Sequence, residues 1–315
     1  MTNTTFCQQI ETYAKSLQTK LKIEKKSKNT ISSYMQTYKS FIEFCKQHYK
    51  ELSFQNLRED DIYAFIEYKS ATMNKQGDIA TSTANGIISH LKRLFKHIER
   101  NATDEAYNFD KVFEDIKLKQ PKRVPKGIDG KEVKKILTYL ESLKQKEIFT
   151  NFRNIMLFKL MLFGGLRASE AVSIKLSDIN LTEEGDLYKI TFKGKGDKSR
   201  FTYIDVDAIE DEINMFVNVF KLSKDEFISK TSTGKHMDRI QLSKMVNSVY
   251  KRADVDISGV HILRHTAAKK LKTQVPLEVL KNLLGHSSIE TTSIYINPTE
   301  DMVKKQMSGV KLYGL

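Results

Sequence analysis

The chain holds only four prolines, and two of them, Pro121 and Pro125, stand within five residues of each other in KLKQPKRVPKGIDGKEV (117–133). Proline lacks a backbone N–H and its ring blocks the preceding turn, so no helix can run through this stretch. Whatever the chain folds into must break here. The expected boundary is a basic, proline-containing linker over 119–127, separating a domain at 1–118 from one at 128–315. A length of 315 residues suits about two domains. The linker carries Lys119, Lys122, Arg123 and Lys126. The chain as a whole has a net charge of +13, which points to a polyanionic partner, nucleic acid before a membrane surface. A basic linker between two basic domains would let the pair close around a duplex as a clamp.

Apolar residues make up 40% of the chain and charged residues 29%, which excludes a disordered protein and supports real cores. No apolar run reaches the roughly 18 residues that mark a membrane span. The start, MTNTTFCQQIETYAK, lacks a charged segment followed by an apolar one, so it does not read as a secretion signal. Cys7 and Cys45 are far apart and form no metal-binding spacing. These features together imply a reduced, cytoplasmic protein.

The first domain reads as helical. TISSYMQTYKSFIEFCKQHY (30–49) spaces Ile31, Tyr34, Tyr38, Phe41, Ile42 and Cys45 along one helical face. REDDIYAFIEYKSAT (58–72) opens on acidic residues, which favour a helix N-terminus. TSTANGIISHLKRLFKHIER (81–100) sets an apolar face of Ile87, Ile88, Leu91, Leu94, Phe95 and Ile98 against a basic one with Lys92, Arg93, Lys96 and Arg100. Lys92 and Arg93 are therefore candidate phosphate contacts, although one basic helix face is more often simply solvated. The second domain should begin with helices at 130–146 and 150–163. DLYKITF (186–192) and RFTYIDV (200–206) alternate apolar and polar around KGKGDKS, which reads as a β-hairpin with a lysine-laden turn. Helices should resume from about 208 and again near 240–252. The expected class is mainly α with a small antiparallel β-sheet in the C-terminal domain.

The unusual polar chemistry lies in this second domain. In LFGGLRASEAVSIKLSDI (162–179), Gly164 and Gly165 break an apolar helix just before Arg167, and Glu170 follows close enough to orient that arginine. The hairpin turn, Gly194 to Lys198, lacks phosphate-loop spacing, but a lysine at its tip could reach a groove and give up a proton. In HILRHTAAKKL (261–271), His261, Arg264 and His265 share a helix face. The histidine pair has no third ligand at a telling distance, so no metal is expected. PLEVLKNLLG (276–285) is a helix stopped by Gly285, His286 sits in the following turn, and Ser287 to Glu290 fits a capping box. A short helix would then run from about 288 to 296 and carry Tyr295 near its end.

Arg167 in GLRASE, Lys195 in GKGDK, His261 and Arg264 in HILRH, His286 in LLGH and Tyr295 in SIYIN resemble the tyrosine recombinases of the phage integrase family, and within it the Xer chromosome-resolving enzymes. The match is specific over about 150–300, where six spaced residues occur in order. The resemblance implies a helical, SAM-like core-binding domain followed by a catalytic domain, together a C-shaped DNA clamp. It also implies a catalytic set of Arg167, Lys195, His261, Arg264, His286 and the nucleophile Tyr295, supported by Glu170, with no cofactor and no metal.

Chemistry asks for the same residue types. A phosphodiester under attack gains charge on its non-bridging oxygens, and two planar guanidinium forks stabilise it there. A tyrosyl phosphate conserves the energy of the cut bond, so the strand can be resealed without ATP. The departing 5′-oxygen needs an acid, which the resemblance assigns to Lys195, with Lys193 and Lys198 nearby. Lys198 and Arg200, with the linker residues Lys119, Lys122 and Arg123, are further candidate DNA contacts.

Site-specific recombination through a 3′-phosphotyrosyl intermediate is thus the leading reading, with resolution of chromosome dimers at a dif-like site as its most specific form. The implied partners are double-stranded DNA with two inverted half-sites, a homotetramer or a heterotetramer with a paralogue, and a septal DNA translocase of the FtsK type, in a cytoplasmic, nucleoid-associated setting. The tail EDMVKKQMSGVKLYGL (300–315) is spaced for one more helix, which in the family docks on a neighbouring protomer. A phage or mobile-element integrase, a type IB topoisomerase and a non-catalytic DNA-binding protein are the alternatives. A compact chain without a separate arm-binding domain favours the Xer role, and the complete residue set argues against lost catalysis.

Overall fold

The computed structural model describes residues 3–73, 79–103, 106–114, 116, 118, 127–194, 199–231, 233–272 and 274–284. The chain divides into two compact units, Met1–Lys122 and Arg123–Leu315.

The first unit is built on the helices α1 (Asn3–Ile23), α2 (Lys28–His48), α3 (Glu59–Met73), α4 (Thr81–Asn101) and the short α5 (Asp110–Phe113). Ser27 starts α2, its hydroxyl accepting a hydrogen bond from the Thr30 N–H at 3.1 Å, which satisfies a donor the helix itself cannot. Phe6, Ile10, Leu17 and Leu21 of α1 are buried against Tyr38 and Phe41 of α2 and Leu91, Leu94 and Phe95 of α4. Fully burying such a side chain stabilises the fold by about 1.5–3 kcal/mol. Aromatic edges meet in this core: Phe41 lies 5.1 Å from Phe65 and 6.0 Å from Phe95. The buried Tyr38 hydroxyl finds the His90 carbonyl at 3.1 Å. Burial pushes its phenol pKa well up. The apolar spacing of 81–100 is matched by α4, whose Ile87, Ile88, Leu91, Leu94, Phe95 and Ile98 are all buried.

The second unit opens at Ile128, whose N–H donates to Thr266 Oγ1 at 2.8 Å. Asp129 and Glu132 then cap α6 (Gly130–Leu143) reciprocally. The helix α7 (Phe149–Leu162) is apolar nearly all round and runs through the middle of the core, with Phe152, Ile155 to Leu162 buried. Lys159 is the one charged residue among these buried positions. Its ammonium meets Glu212 at 2.9 Å, and Lys144 meets the same carboxylate at 3.1 Å. A one-turn helix α8 (Ala168–Ala171) and a 3₁₀ turn, Leu176–Asp178, lead into a three-stranded antiparallel sheet. Its strands β1 (Ile179–Leu181), β2 (Leu187–Lys193) and β3 (Ser199–Asp205) lie in that order. The pairings Tyr188 with Ile204, Ile190 with Thr202 and Phe192 with Arg200 set the face turned to the core. The helix α9 (Val206–Asn214) continues into a π-helical turn, Met215–Val219, and α10 (Arg239–Arg252), α11 (His261–Leu271) and α12 (Leu277–Leu284) complete the described unit.

The hairpin strands and the helices expected between residues 30 and 285 are present to within a few residues, and the helix expected at about 288–296 lies outside the described residues. The helix at 3–23, the third strand β1 and the π-helical turn are additions. No helix among the described residues is long and apolar enough to cross a membrane.

Candidate active site

The apolar helix α7 ends in a turn that needs two glycines. A Cβ on Gly164 would stand 2.8 Å from the Leu160 carbonyl oxygen, and Gly165 has φ +65°, where a side chain is strained. This turn places Arg167 in extended backbone at the start of α8. Glu170, one turn on, is nearly fully buried. Its Oε2 accepts from the Arg167 backbone N–H at 2.7 Å and its Oε1 from Arg167 Nη1 at 2.7 Å. One carboxylate thus fixes both ends of the same residue. The Arg167 side chain remains about one-third exposed.

Arg264 reaches the same place from the middle of α11. It is buried, its Nη1 donates to the Gly165 carbonyl at 2.5 Å, and it lies 3.9 Å from Glu170 Oε2. Its Nη2 donates to the Leu284 carbonyl at the end of α12. Arg200 enters from β3: its Nη1 donates to Glu170 Oε1 at 2.8 Å and its Nη2 to the Leu283 carbonyl at 2.7 Å. Its guanidinium lies over the Phe192 ring at 5.1 Å, and burial lowers its pKa against the opposing pull of Glu170. Three guanidinium groups therefore gather about one buried carboxylate.

His261 sits in the first turn of α11, partly open to solvent and partly covered. Arg239, at the start of α10, donates from Nη2 to His261 Nε2 at 3.3 Å. That ring nitrogen is then an acceptor, so the neutral imidazole carries its proton on Nδ1. Partial burial, then the charges of Arg239, Arg264 and Arg167, hold the His261 pKa below its ordinary value. Burial, then His261 and Arg264, lower that of His265 as well. Among the described residues no group of three or more histidine, cysteine, aspartate or glutamate side chains could hold a metal ion.

Of the residues singled out from the sequence, Arg167, Glu170, His261 and Arg264 come together in this unit. Arg200 joins them with its side chain only 14% exposed and its donors turned inward. Arg239 escaped the sequence reading. The basic residue directly after the N-cap Asp238 was its only marker. In the first unit, Lys92 is exposed on α4, while Arg93 is held by Glu24 at 2.7 Å. Both line a groove with Lys20, Lys96 and Arg100. Lys119, Lys122, Arg123, Lys195, Lys198, His286 and Tyr295, the capping box at 287–290 and the tail helix at 300–315 lie outside the described residues.

The arrangement is a preformed cluster of hydrogen-bond donors with a neutral histidine beside it, suited to an oxyanion with several free oxygens. Comparison with known proteins gives the same answer. The model of the phage integrase family matches residues 126–302, more than half of the chain, and that of the phage integrase N-terminal SAM-like domain matches 14–105. The tyrosine recombinase XerH of Campylobacter jejuni is 28% identical over 289 residues, covering 90% of this chain and 80% of that protein. The tyrosine recombinase XerD of Rickettsia conorii is 28% identical over 295 residues, covering 89% of this chain and 92% of its own. A solved structure of the XerH site-specific recombinase bound to difH substrate, in a pre-cleavage complex, superposes with a TM-score of 0.69 at 25% identity, covering 88% of this chain and 79% of that one. Its post-cleavage counterpart on palindromic difH gives 0.73 at 24% identity, covering 89% and 79%. The chain belongs to the phage integrase family and is a tyrosine recombinase, an enzyme that breaks and rejoins DNA.

Proposed function

We propose that the chain recombines DNA at a dif-like site, with Tyr295 as nucleophile and Arg167, Arg264, His261, His286 and Lys195 as its catalytic partners. The observation that carries this reading is the convergence of Arg167 and Arg264 on Glu170 beside His261. Two forks fixed in one place can bind both non-bridging oxygens of a phosphodiester. In the proposed step the Tyr295 hydroxyl passes its proton to His261 or His286 and its oxygen attacks phosphorus. A phosphotyrosyl bond to the 3′ strand end forms, and the P–O5′ bond breaks. The 5′-oxygen leaves as a hydroxyl, taking its proton from Lys195. The neutral His261, with Nδ1–H as donor, and His286 would contact the phosphate or move a proton. The reverse sequence, with a 5′-hydroxyl of another strand, reseals the break.

The likeness to XerH bound to palindromic difH supports a short site of inverted half-sites, which four protomers would engage on two duplexes. Resolution of chromosome dimers, with a septal translocase of the FtsK type as activator, is the role that fits these relatives. Lys92, Arg93, Lys119, Lys122, Arg123 and Lys198 are the proposed backbone contacts, and α4 presents the first of these from a basic groove.

Covalent trapping in the source cell tests this directly. Tagged wild-type protein and Tyr295→Phe are purified under denaturing conditions, and the DNA still attached is sequenced. Tyrosine-dependent recovery of one chromosomal locus is expected. Equal recovery with both proteins would remove Tyr295 as nucleophile. Attachment at mobile-element ends would instead identify an integrase, and scattered attachment a topoisomerase.

A further inference from the structure

We propose that Arg200 is a positioning residue that locks the end of α12 and the strand β3 to the Glu170 carboxylate orienting Arg167, rather than a contact to DNA. The inference rests on the recombinase reading above. It begins from the register of β3, in which Arg200 pairs with Phe192 on the face turned to the core. A basic residue beside a lysine-laden turn would ordinarily point to solvent. Here the guanidinium is 14% exposed, lies over the Phe192 ring and spends its two terminal nitrogens on Glu170 and the Leu283 carbonyl. Its Nε is buried with no hydrogen-bond partner in the described structure. A group meant for phosphate would not be aimed this way.

The last carbonyls of a helix have no partner within it and carry the negative end of its dipole. At α12 these are the carbonyls of Leu283 and Leu284, and they are taken by Arg200 and Arg264 respectively. The two arginines meet again at Glu170, with Arg200 on Oε1 and Arg264 near Oε2. Arg167 shares Oε1 with Arg200. One buried carboxylate and two adjacent carbonyls therefore fix three guanidinium groups relative to the end of α12. The chain leaves α12 at Leu284, two residues before His286 in sequence. Arg200 also roots the strand β3, which begins four residues after Lys195 in sequence. A planar fork can serve Glu170 and Leu283 at once, whereas a lysine ammonium is a single point charge.

The test uses the full-length protein with Arg200→Met and Arg200→Lys. Hydrogen exchange over 277–284 reads the tie without DNA, with α6 and α10 as internal controls. Single-turnover cleavage and affinity are read on a nicked duplex cut from the locus that covalent trapping recovers. With Arg200→Met, exchange over α12 should rise at least about tenfold while α6 and α10 keep their protection. Cleavage at saturating DNA should fall about 100-fold, as expected for misplaced catalytic groups, with affinity changed less than about threefold. Arg200→Lys should lie between the two proteins in both readouts, and it decides the matter if the methionine variant fails to fold. Unchanged exchange over α12 would overturn the proposal. So would affinity weakened about tenfold, with a shallower salt dependence and an unchanged saturating cleavage rate, which would make Arg200 a phosphate contact. Cleavage by the Tyr295→Phe protein would instead remove Tyr295 as nucleophile and with it the proposed catalytic reading, since the exchange experiment involves no chemistry.

Discussion

Lysine at position 167 would keep the charge and lose the shape. Arg167 presents a flat fork whose Nη1 is already held by Glu170 at 2.7 Å, so its remaining donors point in a fixed direction. Arg167→Lys should therefore lower single-turnover cleavage by about 10²–10³-fold, the scale of losing an aligned donor to a transition-state oxyanion. DNA affinity should change little, and a rapid-quench cleavage assay beside a gel-shift titration checks both. Much of this site is legible in the sequence, because its chemistry sits in short motifs whose spacing fixes a helix face or a turn: two glycines before Arg167, Glu170 three residues on, and His261 and Arg264 on one turn. Arg200 shows where such reading fails. In RFTYIDV the larger apolar rings are Phe201 and Tyr203, and burial by hydrophobicity would turn them inward. They are instead 48% and 40% exposed, and Arg200, Thr202 and Ile204 face the core. The reason is polar: the Thr202 hydroxyl donates to the Gly164 carbonyl at 3.0 Å, and Arg200 serves Glu170. Partners 30 or more residues away decide the face, and no local pattern announces them.

At the scale of elements, strong periodicity makes α2, α4, α6 and the β-hairpin readable. The helix α1 carries the same signal, with Phe6, Ile10, Ala14, Leu17 and Leu21 all buried, but its polar, threonine-rich start obscures it. The three residues of β1 are too few for alternation to register. The junction of α7 and α9 is less expected still. Lys159, in the otherwise apolar second half of α7, meets Glu212, whose side chain is fully buried, and Lys144 and Glu141 close the network at 3.1 Å and 3.7 Å. Breaking one side of such a pair strands a charge in the core. Glu212→Leu should destabilise the second unit by about 3–5 kcal/mol. The double variant Lys159→Met/Glu212→Leu should recover most of that loss. Urea unfolding of the three proteins checks both statements, and equal stabilities would show the network to be energetically idle.

For the molecule as a whole, acid should weaken both units. His90 and His97 in the first, and His261 and His265 in the second, all have pKa values held below the ordinary one, with burial as the leading cause in each case. The unfolded chain then takes up protons first as pH falls through about 6.5, so stability present above that pH is lost as pH drops towards the folded-state values. Thermal unfolding at pH 7.5 and pH 5.5 should show a lower midpoint at the acid value, and His97→Gln should flatten the difference. The tail belongs to the same scale. Removing 301–315 should impair recombination between two sites far more than binding to one, measured by a plasmid resolution assay beside a gel shift. If neither changed, docking of the tail on a neighbour would be wrong. The cluster around Glu170 has its own consequence for the free protein. Among the described residues three guanidinium groups gather at one carboxylate, which concentrates positive charge where a phosphate would bind. By linkage, a polyanion that fills the site must stabilise the second unit, and the enzyme is then most stable when it is holding the bond it is about to cut.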